Sequence, residues 1–524
     1  MNIIPLPNFY KKEKGKISFS NYRIIIQPKY QNAVIQFNHE LEEKLNVDES
    51  FSVYTFEFEI NNELKSQEYR ITMQKEITLV EGKDEYAFYL ATRSLAMLLN
   101  LHSISSTNKI ESDILYIDDK PRFLMRSFMI DEVRHFFGKE KLFQLIDLLS
   151  LLKFNYLHWH LSDDQGFRIN FKTFPNLEKV ASKRKNTKIE SQDNDAYDNH
   201  PYEHCYSYED VKEIINYAKK HYIEIIPEID VPGHTSAIVA AYKELHCFNK
   251  ENEVPGYFGV FKEIICPGKE STYTFFKKLF DELLLLFKDS KYIHIGGDEV
   301  THTNWETCPD CKAMMRKLNL TSTNQLQTHF TNEIAKYILD KGRKVIVWND
   351  GVFDNVDSRV IMQYWDWKMD KPRIEYINNG RKTIYSPCSQ VYFNDPYAEL
   401  PLIRTYNRGI HLEGLNKSAL KNIIAIEGCI WTEWIDNGNM LDFMLNPRLE
   451  ALSEACWTYS TNHNFTSFKK RMEKFYHVLD NMKIDYCSLK TACPTNKKYK
   501  DEISKKYRKN EKYIEYQLDK KKSK

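Results

Sequence analysis

Eight short apolar segments recur between residues 126 and 430 of this 524-residue chain, with helix-like stretches between most of them. They lie at 126–131, 155–161, 223–229, 292–295, 344–348, 359–365, 382–386 and 423–430. Residues 139–152, 208–221, 273–287 and 324–341 carry apolar side chains at helical spacing on one face. Alternation of strand and helix predicts a parallel sheet covered by helices, because each parallel connection needs a crossover. Eight such strands over roughly 350 residues predict a (β/α)8 TIM barrel with insertions.

The rhythm differs before residue 119. Segments 22–26, 52–60, 69–73 and 77–80 read as strands, the last two as a continuing meander, and 85–101 reads as a helix. The expected organisation is an α+β domain over 1–118, a catalytic barrel over 119–489, and a Lys-rich tail or helix over 490–524 with no assigned chemistry.

In a barrel of this kind the active site lies where the strands end. The fourth segment, Tyr292-Ile293-His294-Ile295, runs into Gly296-Gly297-Asp298-Glu299. The glycines lack a Cβ and admit close approach. If strand alternation continues, Asp298 and Glu299 face different surroundings and can take different acid–base roles. Taken alone, the doublet reads equally well as a charged loop. The other strand ends repeat the pattern: Asp131 to His135, His158 to Gln165, Glu228 to His234, Trp348-Asn349-Asp350, Trp365-Asp366-Trp367, Tyr392 to Asp395 and Trp431 to Trp434. Trp rings stack on sugar faces, and carboxylates with Arg take sugar hydroxyls. No glycine-rich loop opens a helix, which argues against a nucleotide. The strand ends therefore point to a glycosidase.

Composition supports this and narrows it. The formal net charge is +1 and the pI about 7.6, which argues against nucleic acid as a partner. No apolar run approaches the roughly 20 residues of a membrane span, and the first residues lack a signal-peptide pattern. Ten cysteines without regular spacing fit reduced thiols. These observations predict a cytoplasmic protein.

The motifs resemble glycoside hydrolase family 20, the β-N-acetylhexosaminidases. The resemblance rests on Arg126 to Asp131 with Arg134-His135-Phe136-Phe137, on Asn155 to Arg168, and on Pro227 to Thr235. It continues through His294 to Glu299, Trp431-Thr432-Glu433, Pro447-Arg448 and Glu454 to Trp457, in family order over most of 119–460. It implies a retaining, substrate-assisted mechanism without cofactor or metal, acting on oligosaccharides or glycoconjugates that end in an N-acetylhexosamine. Glu299 becomes the general acid and base. Asp298 orients the 2-acetamido group, and Tyr392 donates to its carbonyl oxygen. Trp348, Trp365 and Trp431 wall the pocket, Arg134 and Glu433 hold ring hydroxyls, and Asp163 with His234 supports the acid. One position departs from the pattern: Asn394 stands where most members of the family have Asp, with Asp395 next to it. This opens the GlcNAc-versus-GalNAc preference.

Three other readings compete. His158 and His160 share a strand face, as metal ligands do in some barrel hydrolases, but Trp348, Trp365 and Trp431 stand where such a site needs further ligands. Cys308-Pro309-Asp310-Cys311 is a single CxxC with no convincingly spaced second pair, and reads as a surface loop. A catalytically weak sugar-binding protein on the same scaffold is the third. Trp159, Trp367, Trp434 and Trp457 read as packing residues, and Glu228 and Asp230 as a network beneath the site.

Overall fold

A computed structural model describes residues 1–45, 53–102, 107–189, 195–365, 371–407, 410 and 412–494. Its centre is a closed barrel of eight parallel strands in chain order. The strands are Met125–Asp131, Tyr156–His160, Glu224–Glu228, Tyr292–His294, Lys344–Trp348, Ile361–Tyr364, Thr383–Tyr385 and Ile423–Ile430. The eighth pairs with the first, Ala425 opposite Met125 and Ile430 opposite Ile130, which closes the ring. Each strand lies within the segment expected from its apolar run or one residue beyond it.

The alternation along each strand sorts side chains between two cores. Val345 and Val347 join the outer core under the helices, while Ile346 points into the barrel. Ile346 meets Met125, Ile226, Tyr292, Ile361, Ile384 and Ala425 in an apolar plug. The helices begin where local chemistry starts them. Tyr208–Lys220 opens on a capping box in which the Ser207 hydroxyl accepts from the Asp210 N–H and the Asp210 side chain returns the contact.

The N-terminal sheet has six strands, in the order Phe9–Phe19, Ile110–Asp119, Tyr69–Met73, Ile77–Gly82, Val53–Ile60 and Asn21–Ile25. The expected meander holds only for Tyr69–Met73 with Ile77–Gly82, which pair antiparallel. Val53–Ile60 pairs parallel with both of its neighbours. Helix Asn32–Lys44 lies between Asn21–Ile25 and Val53–Ile60 in sequence, and such a crossover is what a parallel pair requires. Strand Phe9–Phe19 has no apolar run to read, because its first eight residues are all exposed. Of the tail or helix expected over 490–524, only 490–494 are described, and they include the end of the short helix Leu489–Ala492.

A buried polar joint fastens this sheet to the barrel. Asp119 accepts from the Tyr69 hydroxyl at 2.6 Å and from the Trp457 indole N–H at 2.9 Å. The Lys153 ammonium donates to Tyr69 at 2.7 Å and lies over the Trp457 ring. Farther along, Arg471 grips Glu454 with two bonds of 2.6 Å and donates to the Ile3 carbonyl.

Candidate active site

Above the apolar plug the barrel interior turns polar. Glu228, on the third strand, accepts the Trp348 indole N–H at 2.8 Å. It also lies 3.1 Å from His158 Nε2 and 2.9 Å from His294 Nδ1. His158 Nδ1 reaches Glu427 at 2.9 Å, and the Gln363 amide donates to the same carboxylate oxygen at 2.6 Å. Burial opposes charge on Glu228, yet His294, His160 and His158 together hold its carboxyl well below the usual range. Burial also pulls His158 and His160 down, but their carboxylate partners push them up to about 9 and about 10. His158 and His160 thus pair with Glu228 as ions in the floor of the site, whereas burial lowers His294, whose Nδ1 accepts the Gly296 N–H at 3.0 Å. His158, Glu228 and His294 present donor atoms close enough together for a cation. Glu228 is already engaged by the Trp348 indole, His158 and His160, and His294 Nδ1 by the Gly296 N–H, so an ion would have to displace those contacts.

The loop after the fourth strand carries the carboxylate doublet. The strand stops at His294, so turn geometry rather than strand alternation separates Asp298 from Glu299. Gly296 and Gly297 have φ +62° and +97°, and Glu299 follows at φ +48°. A Cβ on Gly296 would stand 1.8 Å from Asp230 Oδ1, so the glycine makes room for that carboxylate rather than for a ligand. Asp230 Oδ1 in turn accepts the Gly297 N–H at 2.9 Å.

Two non-glycine residues in the left-handed region, Glu299 and His234, face each other across the site. Such backbone is costly and gathers where a side chain must be aimed. His234 Nε2 lies 3.5 Å from Glu299 Oε2 and 3.7 Å from Asp298 Oδ2. Its Nδ1 lies 2.9 Å from Asp164 and 3.3 Å from Asp163. Burial lowers the proton affinity of His234, but Asp163 and Asp164 raise it well above the ordinary histidine value. The resulting imidazolium hydrogen-bonds Glu299 and holds its carboxyl below the usual range, against the opposing effect of burial.

Asp298 has the opposite environment. Its side chain is 11 % exposed, against 40 % for Glu299. Burial and the neighbouring Asp230 push it well above the ordinary carboxylate range, and Asp230 is raised by burial in the same way. A carboxyl oxygen of each lies within 4.8 Å of the other and of His234. Asp298 Oδ1 and Asp230 Oδ2 are buried without a hydrogen-bond partner among the described residues. Two buried carboxyls in contact carry one negative charge more readily than two.

An aromatic box closes over these acids. Tyr392 stacks with Trp365 at 6.3 Å between centroids and tilts against Trp431 at 6.2 Å. Trp348 lies 5.9 Å from Trp431 but has no exposed surface, so it supports the box from below. Arg134 is placed by three partners: Asp163 at 2.7 Å, Gln165 at 3.0 Å and Asp131 at 3.3 Å. Its guanidinium also lies over the Trp431 ring. Burial raises the Glu433 carboxyl, and Arg134 partly counters this. Asn394 Oδ1 is buried without a partner among the described residues. Burial pushes the adjacent Asp395 up to about 6, and its backbone carbonyl is taken by Arg448.

Every candidate residue named from the sequence therefore falls at this end of the barrel. Three contributors were not given roles. Asp164, rather than Asp163, makes the shorter contact to His234; Asp163 instead bridges Arg134 and His160. Asp350 accepts the Glu299 N–H at 2.7 Å and the Trp365 indole N–H at 2.9 Å, coupling acid loop to aromatic box. Gln165 fixes Arg134. All three stood in strand-end motifs, but which partner each would find is a long-range matter. Trp159 and Trp457 are fully buried, as expected of packing residues, and Trp367 lies outside the described residues.

Comparison with known proteins agrees with this geometry. The β-hexosaminidase of Porphyromonas gingivalis is 28% identical over 440 residues, 81% of this chain and 55% of that protein. The chain thus spans about half the length of that relative. The crystal structure of a GH20 exo β-N-acetylglucosaminidase from Vibrio harveyi, in complex with N-acetylglucosamine, matches with TM-score 0.81. Its identity is 26%, over 93% of this chain and 78% of that one. A β-N-acetylhexosaminidase from Bacteroides fragilis matches with TM-score 0.77 and 28% identity, over 95% and 99%. The sequence profile for the glycosyl hydrolase family 20 catalytic domain matches residues 123–460, which includes every candidate residue above. A profile match over more than half of the chain, on a barrel whose strand ends carry these side chains, makes the protein a member of glycosyl hydrolase family 20.

Proposed function

We propose that this protein is an exo-acting, retaining β-N-acetylhexosaminidase that removes terminal β-linked GlcNAc or GalNAc with the substrate's own acetamido group as nucleophile. One observation carries the reading: Asp298 and Glu299 sit side by side beneath the box of Trp365, Tyr392 and Trp431, Asp298 buried and Glu299 open to solvent. Glu299 is partly exposed and faces the opening, where it donates a proton to the glycosidic oxygen as the C1–O bond breaks. The acetamido carbonyl oxygen attacks C1 from the other face and forms an oxazolinium ion. Asp298 Oδ2, beyond hydrogen-bond range of His234, accepts the acetamido N–H and balances the developing charge. Tyr392 donates to the acetamido oxygen, and Trp365 and Trp431 enclose the methyl group. Water then attacks C1 while Glu299 takes its proton, which restores the acetamide and retains the β configuration. Arg134, Glu433 and Asn394 hold the ring hydroxyls.

The V. harveyi relative, described with N-acetylglucosamine, supports the choice of sugar. Among the described residues no helix is long and apolar enough to cross a membrane. None of the ten cysteines, all of them among the described residues, is in a disulfide, which supports a reducing, cytoplasmic setting.

A chromogenic N-acetyl-β-glucosaminide is the direct test. The protein should hydrolyse it, should leave the plain β-glucoside intact, and should be inhibited competitively by a thiazoline analogue of the intermediate. Asp298→Asn should weaken that inhibition. Efficient cleavage of the β-glucoside, or a sugar trapped as an ester on a carboxylate, would overturn the mechanism. Sugar binding without turnover would favour a non-catalytic protein instead.

A further inference from the structure

Cys308 and Cys311, expected in a surface loop, are fully buried at the start of helix Pro309–Lys317. Two cysteines from elsewhere join them: Cys247, after the short turn Lys243–Leu245, and Cys266, before helix Glu270–Leu286. The four sulfurs all lie within 4.8 Å of one another. Cys266 Sγ is 3.4 Å from Cys311 Sγ and 3.6 Å from Cys308 Sγ, and Cys247 Sγ is 3.9 Å from Cys311 Sγ. A disulfide needs about 2.05 Å. A tetrahedral ion about 2.3 Å from each of four sulfurs sets sulfur–sulfur distances of about 3.8 Å, and the observed separations bracket that value.

We propose that Cys247, Cys266, Cys308 and Cys311 bind one Zn²⁺ ion in a tetrathiolate site that ties the segment after the third barrel strand to the loop after the fourth. The surroundings suit thiolates. Cys308 caps the helix and Cys311 sits in its first turn, where unpaired N–H groups favour negative charge. The Gly268 N–H donates to Cys266, two residues earlier. Gly268 is packed so tightly on the Asp310–Cys311 backbone that a Cβ there would stand 2.2 Å from the Cys311 nitrogen. The Lys269 ammonium, held by the carbonyls of Glu244 and His246, adds positive charge to the same corner. Four sulfurs and no open position describe a structural rather than a catalytic zinc, and soft thiolates select zinc over the hard divalent cations.

The consequence reaches the active site. The Glu299 loop leads directly to Cys308, and the same two segments are pinned by Trp305 Nε1 donating to Ile265 O and Thr301 Oγ1 donating to Phe261 O. The ion would add the strongest tie to that seam.

The experiment is elemental analysis of the full chain purified under reducing conditions. About one zinc per chain is expected, with most of it lost in Cys266→Ser and Cys311→Ser. If those variants fail to fold, the wild-type protein is titrated with a mercurial thiol reagent beside a chromogenic zinc chelator; zinc should appear as the four thiols react. Cobalt exchanged into the site should show the thiolate charge-transfer and visible bands of a tetrahedral ion. Metal-free protein that retains no zinc after incubation with Zn²⁺ and desalting would overturn the proposal. So would peptide mapping that recovers these cysteines as disulfides, or iron in place of zinc.

Discussion

Asp298 and Glu299 share a peptide bond and differ in almost everything that sets proton affinity. Glu299 leans on a charged His234, and Asp298 leans on another carboxyl. Glu299→Gln should cut turnover by roughly 10²–10⁴-fold on glycosides with poor leaving groups. Activated aryl glycosides, which need less protonation, should lose less in the first step, and equal losses on both would argue against the assignment. His234 tunes this group. Replacing it by Gln removes the cation that stabilises the Glu299 carboxylate, so Glu299 should keep its proton to higher pH. The alkaline limb of the kcat/KM profile should then move up, and a downward shift would contradict the pairing. Asn394 offers an unpartnered amide oxygen where a charged acceptor is usual. Hydrogen bonds to charged groups are worth about 1.5–3 kcal/mol against about 1 for neutral ones. Asn394→Asp should therefore change the GlcNAc-to-GalNAc ratio in kcat/KM, by up to roughly tenfold for each 1.4 kcal/mol. An unchanged ratio would mean that Asp395 already fills the role or that this loop faces away from the sugar.

At the scale of elements, the acid loop is held by backbone shape as much as by side chains. Gly296 combines φ +62° with a Cβ position already occupied by Asp230. Gly296→Ala adds the left-handed penalty of about 1–2 kcal/mol and pushes Asp230 away from Asp298. The variant should melt lower than wild type and lose turnover through kcat more than through KM, since the fault lies under the reacting groups. Gly342→Ala is the control: its φ is also positive, but no atom lies within 4 Å of the added Cβ. It should cost stability without touching kcat. If the two substitutions behave alike, the Asp230 contact does not matter to catalysis.

For the whole molecule, the joint at Asp119, Tyr69, Lys153 and Trp457 decides how the sheet and barrel are fastened. Burial lowers Lys153 from 10.5 to about 8, outweighing the attraction of Asp119. Between those two values the unfolded chain binds more protons than the native one, so stability rises with pH across that window through this group. Lys153→Met removes the effect. The stability of wild type relative to the variant, from denaturant unfolding, should improve between pH 7.5 and 9.5 by up to about 1.4 kcal/mol per unit of pH. A difference that stays flat would mean the ammonium is better solvated, or better paired, than its burial implies.

Local pattern determined a good part of this protein. Eight apolar runs specified eight barrel strands, because a strand buried on both faces is apolar over most of its length, its few polar side chains gathering at the end that carries the site. Residues placed just past those runs were bound to meet at one rim, and so Glu299, Asp298, Tyr392 and Arg134 could be nominated from the chain alone. Partner choice was a different matter. Asp163 and Asp164 are neighbours with the same chemistry, and only the folded loop decides that Asp164 makes the closer contact to His234 while Asp163 turns to Arg134. The parallel pairing of Val53–Ile60 and the bridge from Asp350 to Glu299 likewise depend on segments far apart in sequence. The cysteines show the limit most clearly. A single CxxC has a bland local reading, and Cys247 and Cys266 carry no spacing signal. Four sulfurs meet only because two barrel loops fold across each other, a fact of tertiary contact that no window of sequence contains.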